Sequence, residues 1–169
     1  MGVFAKGRNM QKALNIDPAK CTGCIQCELA CSMEHTGSFN PSKSLIKVFK
    51  FHDEGRFVPY TCTQCAEAWC MQACPVDAIS MDAINNGAKI VADSVCVGCK
   101  VCTIACPFGT INYVPDTGKV AKCDLCGGDP KCATACPTDA ITFVDASSTG
   151  LEKMRNWAAK TDSGASAQA

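Results

Sequence analysis

Short runs of alternating apolar and polar residues recur along this chain, and none is long. They read LIKVFKF at 45–51, AISMD at 78–82, KIVA at 89–92, TINYV at 110–114 and AITFV at 140–144. Alternation over so few residues predicts short β-strands. Turn sequences join them in pairs. Asp53-Glu54-Gly55 leads into a run at 56–60, Asn85-Asn86-Gly87 into 89–92, and Pro115-Asp116-Thr117-Gly118 into 119–121. Such glycine-ended turns between β-prone runs are hairpin signals. Short helical stretches precede the strands, at about 25–32, 67–73, 100–105 and 131–135. A further helix is predicted over 151–160 (LEKMRNWAAK), with Leu151, Met154 and Ala158 near one face and Trp157 at its border. Trp157 is expected to dock on a partner subunit or a second copy. Residues 161–169 are small and polar and predict no packed element.

A cysteine loop stands before every one of the four internal helices, so the unit loop–helix–strand repeats four times. The blocks are Cys21-Cys24-Cys27-Cys31, Cys62-Cys65-Cys70-Cys74, Cys96-Cys99-Cys102-Cys106 and Cys123-Cys126-Cys132-Cys136, and together they hold all sixteen cysteines. The first and third have the C-x2-C-x2-C-x3-C spacing of bacterial ferredoxins. The second and fourth stretch the middle gap to four and five residues. Three thiolates in one curved loop can grip three corners of a cubane, while the fourth cysteine lies about one helical turn on and points elsewhere. Sixteen thiolates in four quartets suit four [4Fe–4S] clusters. Proline follows Cys74, Cys106 and Cys136, in the strings CPVDAI, CPFGTI and CPTDAI, whereas Ser32 follows Cys31. Asp77 and Asp139, which repeat in these strings, are read as turn or cap residues. Gly23, Gly98 and Gly127 lie between or beside ligand cysteines, where a tight turn asks for positive φ.

Other uses of cysteine fit less well. Disulfide scaffolds have irregular spacings and a secretory context. Structural zinc takes paired C-x2-C units, often with histidine, and the chain's histidines, His35 and His52, both fall outside the repeat. A radical or dehydratase enzyme would need a cluster with only three cysteines, and every quartet here is complete. No activated nucleophile, phosphate-cradling loop or paired carboxylate suggests a substrate site. The expectation is a non-catalytic electron carrier. Trp69, beside Cys70, is read as packing over a cluster.

Composition refines this picture in two places. The apolar fraction is 47%, but cysteines inflate it, and only two Trp, two Tyr and seven Phe supply large aromatic side chains. The clusters should therefore act as the core, and the apo-chain should be largely unfolded. The 16 basic and 16 acidic residues cancel. Four-thiolate cubanes add ~−2 each when oxidised, which disfavours a nucleic-acid partner. No run of eighteen apolar residues predicts a membrane span. The start MGVFAKGRN has neither an apolar signal core nor twin arginines, so a cytoplasmic protein is expected.

The region 16–144 resembles the four-cluster iron–sulfur subunits that accompany molybdenum and tungsten pterin enzymes, hydrogenases and carbon monoxide dehydrogenases. The strings SFNPSKSLIKV and KCDLCGGDPKC are similar to the small ferredoxin-type subunits beside tungsten-dependent aldehyde oxidoreductases. Spacing alone is consistent with each block holding its own cluster. The resemblance instead implies an α+β fold of two nested, pseudo-twofold ferredoxin-like modules whose fourth ligands are exchanged. The outer module would be 16–56 with 116–145, and the inner module 57–115. They would be flanked by an N-terminal arm at 1–15 and a C-terminal helix and tail at 146–169. The implied ligand sets are Cys21, Cys24, Cys27 with Cys136; Cys123, Cys126, Cys132 with Cys31; Cys62, Cys65, Cys70 with Cys106; and Cys96, Cys99, Cys102 with Cys74. The implied partners are a tungsten- or molybdenum-pterin catalytic subunit and a flavin subunit or soluble carrier. Hydrogenase and carbon monoxide dehydrogenase are the alternatives. A reading of another class, a scaffold that links catalytic subunits into a larger assembly, is motivated by the terminal arms, through which self-association is also expected.

Overall fold

A computed structural model describes residues 12–83 and 87–145, together with 150, 154, 155 and 158. Residues 1–11, the turn residues Asn85 and Asn86, and Trp157 lie outside the described residues. The docking role expected of Trp157 and the scaffold role expected of the termini therefore stay expectations.

The architecture is α+β, made of short helices and four separate two-stranded antiparallel sheets. Three of the sheets are local hairpins. They pair β2 (Lys47–Phe51) with β3 (Arg56–Tyr60), β4 (Ile79–Asp82) with β5 (Ala88–Val91), and β6 (Asn112–Val114) with β7 (Lys119–Ala121). Gly55 and Gly118 close two of the turns at φ of 61° and 68°, which glycine adopts without the penalty a Cβ brings. The fourth sheet is not local. β1 (Lys12–Ile16) pairs with β8 (Ile141–Asp145), joining the two ends of the described chain from Lys12↔Asp145 to Ile16↔Ile141. Residues 12–15, grouped with an arm on sequence grounds, thus form most of a strand.

Four α-helices follow the cysteine loops: α1 (Gln26–Thr36), α2 (Trp69–Gln72), α3 (Val101–Ala105) and α4 (Lys131–Thr134). α1 packs on α4, and α2 on α3. α1 runs four residues beyond the end the sequence predicts, because Ser32 stands where the other blocks have proline. A proline there would lack the N–H and clash with the preceding turn. Ser32 is fully buried; its hydroxyl donates to Leu29 O at 3.0 Å and accepts from Asn40 N at 3.0 Å.

Cysteines belong to every apolar cluster of the interior. Cys27, Cys31 and Cys132 pack with Leu45, Ile46, Val48 and Ile141; Cys62 and Cys123 with Ala88 and Leu125; Cys102 with Ile79, Ile111 and Val120. Around the first of these, the buried Glu28 on α1 accepts from Val48 N at 2.5 Å, tying the helix to β2. Among the described residues no helix is long and apolar enough to cross a membrane.

Candidate metal centres

Each cysteine loop is bent by left-handed backbone. The residue before the second cysteine has positive φ in all four blocks: Gly23 at 71°, Gln64 at 51°, Gly98 at 69° and Leu125 at 60°. In blocks one and three the residue after it, Ile25 or Lys100, is left-handed as well and starts the helix. In block four the same curl runs through Cys126 and Gly127. Successive positive-φ turns fold the loop back on itself, so its side chains converge. Two of the three glycines singled out from sequence have a second constraint. A Cβ on Gly23 would lie 2.5 Å from the Phe57 ring, and one on Gly98 would collide with the carbonyl oxygen of Gly118. Gly127 has open space around it and needs glycine only for its φ of 64°.

All sixteen cysteines are free thiols, and they gather in quartets. Cys21, Cys24, Cys27 and Cys136 line one narrow crevice, closed by Val48, Pro59 and Ile141. Cys74, Cys96, Cys99 and Cys102 line another, with Ile79 and Val120. Cys62, Cys65, Cys70 and Cys106 border a cavity of about 400 Å³, with Trp69 and Phe108 beside them. Trp69 is 56% exposed, so it stands at the rim of that cavity rather than within the interior. The fourth group is seen through electrostatics, since the Cys132 thiol is pushed well above its usual range by burial and then by Cys123, Cys31 and Cys126. In every group three thiols come from one block and one from its partner, block one with four and block two with three. The groups also adjoin one another. Cys132 feels Cys27, Cys102 feels Cys70, and Cys62 and Cys123 share one apolar cluster.

The chemistry of these donors suits an iron–sulfur cluster. Burial pushes the Cys27 and Cys123 thiols up to about 12, so neither is a thiolate at neutral pH without added positive charge. Iron supplies that charge, and a coordinated thiol loses its proton outright. The fourth cysteines are prepared differently. Asp77, Gly109 and Asp139, at the same place in the three C-P-x-x turns, have φ of 51°, 63° and 51°, as the turn reading of both aspartates requires. The bend turns donors toward sulfur. Ala78 N–H donates to Cys74 Sγ at 3.2 Å, and the Thr110 and Thr138 hydroxyls lie 3.5 and 3.8 Å from Cys106 and Cys136. For Cys106 and Cys136 burial is the largest single influence and raises the thiol, yet the hydrogen bonds together outweigh it and the net shift is downward. Cys31 also shifts downward against burial, through His35, Leu45 N–H at 3.4 Å and Ser44.

Several residues of these centres are not marked by the cysteine pattern. His35 lies one turn beyond Cys31 on the extended α1. Its Nδ1 donates to Cys31 O at 2.8 Å, with Cys31 Sγ 3.7 Å away, and its Nε2 donates to Asp124 Oδ1 at 3.0 Å. A carbonyl and a carboxylate both accept only, so both ring nitrogens carry hydrogen and the ring is cationic. The hydrogen bonds to Asp124 and then Cys31 hold its pKa up to about 11. His35, Asp124 and Cys126 converge closely enough to hold a metal ion, but the ring nitrogens are engaged as donors and the group reads as an ion pair beside a thiol. Gln64, buried and left-handed, bridges Cys123 O at 2.6 Å and Lys89 N at 2.8 Å, linking blocks two and four. The i, i+4 spacing of Cys31 and His35 is a usable signal. Nothing in the sequence marks Gln64.

Residues 54–146, just over half of the chain, match the family described as 4Fe-4S dicluster domain, and residues 18–34 match the 4Fe-4S binding domain. The chain is similar to the polyferredoxin-like subunit of aliphatic sulfonate oxidoreductase from Pyrococcus furiosus. The two are 45% identical over 110 residues, which cover 64% of this chain and 62% of that one. It is also similar to a tetrathionate reductase subunit from Archaeoglobus fulgidus, 32% identical over 108 residues, covering 64% and 51%. A component of anaerobic dimethyl sulfoxide reductase from Escherichia coli is 31% identical over 123 residues, covering 64% and 58%. The chain thus spans between about half and two thirds of the length of these curated relatives. Two iron–sulfur domains and sixteen cysteines correspond to four [4Fe–4S] clusters.

Proposed function

Because the chain belongs to the 4Fe-4S dicluster domain family, we propose that it is the electron-transfer subunit of an oxidoreductase complex and is not itself catalytic. In this reading it relays single electrons between a tungsten-pterin catalytic subunit of the aldehyde oxidoreductase type and a flavin subunit or soluble carrier. The relatives support the coarser part, since their names make them parts of sulfonate, tetrathionate and dimethyl sulfoxide oxidoreductases.

The observation that carries the proposal is the gathering of thiols across blocks. We assign the ligands as Cys21, Cys24, Cys27 and Cys136; Cys31, Cys123, Cys126 and Cys132; Cys62, Cys65, Cys70 and Cys106; and Cys74, Cys96, Cys99 and Cys102. Two nested ferredoxin-like modules follow from this assignment. The electrostatic influence of Cys27 on Cys132 and of Cys70 on Cys102, with the apolar cluster that Cys62 and Cys123 share, favours one row of four sites in that order. When bound, each cluster takes up and gives up one electron. The remaining residues bind, screen and tune. Cys24 and Cys99, in the two end sets, are the exposed cysteines, so both ends of the row reach the surface where partners can approach. Cys62 and Cys123, in the middle sets, are buried.

Metal analysis of the native complex, purified without oxygen, tests the partner. Tungsten together with iron well above ~16 atoms per copy of this chain supports the aldehyde oxidoreductase reading. Molybdenum transfers it to another pterin enzyme, and nickel to a hydrogenase or carbon monoxide dehydrogenase.

A further inference from the structure

Two buried lysines face the same cysteine cavity. Lys89 is 4% exposed and Lys122 is 5% exposed, and both line the space bordered by Cys62, Cys65, Cys70 and Cys106. Lys122 Nζ donates to Lys89 O and, at 3.0 Å, to Cys123 O. Those carbonyls satisfy hydrogen bonds but carry no net charge. Burying an ammonium is costly unless an anion answers it. Among the described residues the ion pairs are His35–Asp124, Lys43–Asp116, Arg56–Glu54 and Lys131–Asp129, and neither lysine is in any of them. Glu67, at the rim of the cavity, is exposed. A cluster bound in this cavity would supply the answering charge, and Lys122 already acts favourably on the Cys70 thiolate. The crevice of Cys21 and its partners has no cationic lining. That of Cys96 and its partners has Lys100 alone, which is exposed and sits 3.8 Å from the Tyr113 ring centroid.

We propose that Lys89 and Lys122 are tuning residues that raise the potential of the cluster held by Cys62, Cys65, Cys70 and Cys106 above those of the two end clusters. This deepens the ligand assignment above and rests on it. Reduction adds one electron, supplied by the flavin subunit or soluble carrier, to a site of ~−2 charge. No bond forms or breaks and no proton is needed. Fixed positive charge favours the more negative state, so it raises the potential.

The test is an anaerobic potentiometric titration of the iron-loaded full chain, followed by electron paramagnetic resonance. Lys89→Met and Lys122→Met are compared with Lys89→Arg and Lys122→Arg, and Cys65→Ser identifies the couple of this cavity. In the methionine variants that couple falls by at least tenfold in its reduction equilibrium, about 59 mV for one electron. The couples of the two end sets stay in place, and the arginine variants keep the native value. If Lys122→Met fails to retain its iron, Lys89→Met decides alone. The proposal is overturned if the couple is unmoved in a methionine variant of full iron content, or if arginine moves it as far as methionine does. A native chain with ~8 iron atoms would instead defeat the four-cluster reading itself.

Discussion

Replacing Gly98 with alanine separates two reasons a cluster loop needs glycine. The φ of Gly98 is 69°, and an added Cβ would collide with Gly118 O and lie 3.1 Å from Gly118 C, both backbone atoms. A non-glycine residue in this region costs about 1–2 kcal/mol. Forcing a methyl into closed packing adds about 1–3 kcal/mol. Gly98→Ala should therefore cost about 2–5 kcal/mol by these two effects together. Gly127 has nearly the same φ, 64°, with nothing within 4 Å of its added Cβ. Gly127→Ala should cost only the conformational part, about 1–2 kcal/mol. For a chain of this size each kcal/mol moves Tm by about 2–4 °C, so Gly98→Ala should melt roughly 2–12 °C below Gly127→Ala. The assay is loss of the visible cluster absorbance on anaerobic heating, with both variants scanned at one rate because iron release makes the transition kinetic. Equal melting of the two variants, or a lower Tm for Gly127→Ala, would refute the close approach of the Gly98 and Gly118 loops.

Other perturbations read other parts of the structure. Ser32→Pro places a ring inside α1 and removes the buried hydroxyl that holds Asn40 N; it should cost about 3 kcal/mol or more, measured by the same melt, and a neutral result would contradict the extended helix. Glu28→Ala strips the acceptor from the buried Val48 N–H and should cost about 1–3 kcal/mol, with a loss near zero arguing against that tie. His35 has its pKa raised from 6.5 to about 11 by Asp124 first and then by Cys31, so its stabilisation is full below about pH 6.5 and fades toward pH 11. The Tm gap between the native chain and His35→Gln should thus be widest near pH 6 and close as pH rises, and a gap independent of pH would exclude the ion pair. Chelating the iron should abolish most far-ultraviolet circular dichroism, because cysteines sit in every interior cluster; a native spectrum after complete removal would show a core that stands without metal.

The parts of this molecule legible in the sequence are those written in neighbouring residues. The three hairpins announce themselves through alternation and glycine turns, and the C-P-x-x bends through proline and aspartate. The thiol quartets are half legible, because a block shows its three loop ligands but not the partner block that lends a fourth. The β1–β8 pairing joins residues at opposite ends of the described chain, and its first strand, KALNI, has no turn signal to mark it. α1 outruns its predicted end because Ser32 lets the helix continue where the other blocks stop it with proline. Gln64 and Leu125 take a left-handed conformation usually left to glycine, so the loop curl they complete is hidden. Lys89 lies within a short strand and Lys122 just after one, where each looks like an ordinary polar position, yet both are buried.

Iron and acid-labile sulfide per chain, with the number of one-electron couples in an anaerobic titration, test the central claim most directly. Four clusters on sixteen cysteines predict ~16 iron, ~16 sulfide and four couples in the full chain. About half that iron with two couples, or zinc in place of iron with no labile sulfide, would contradict it.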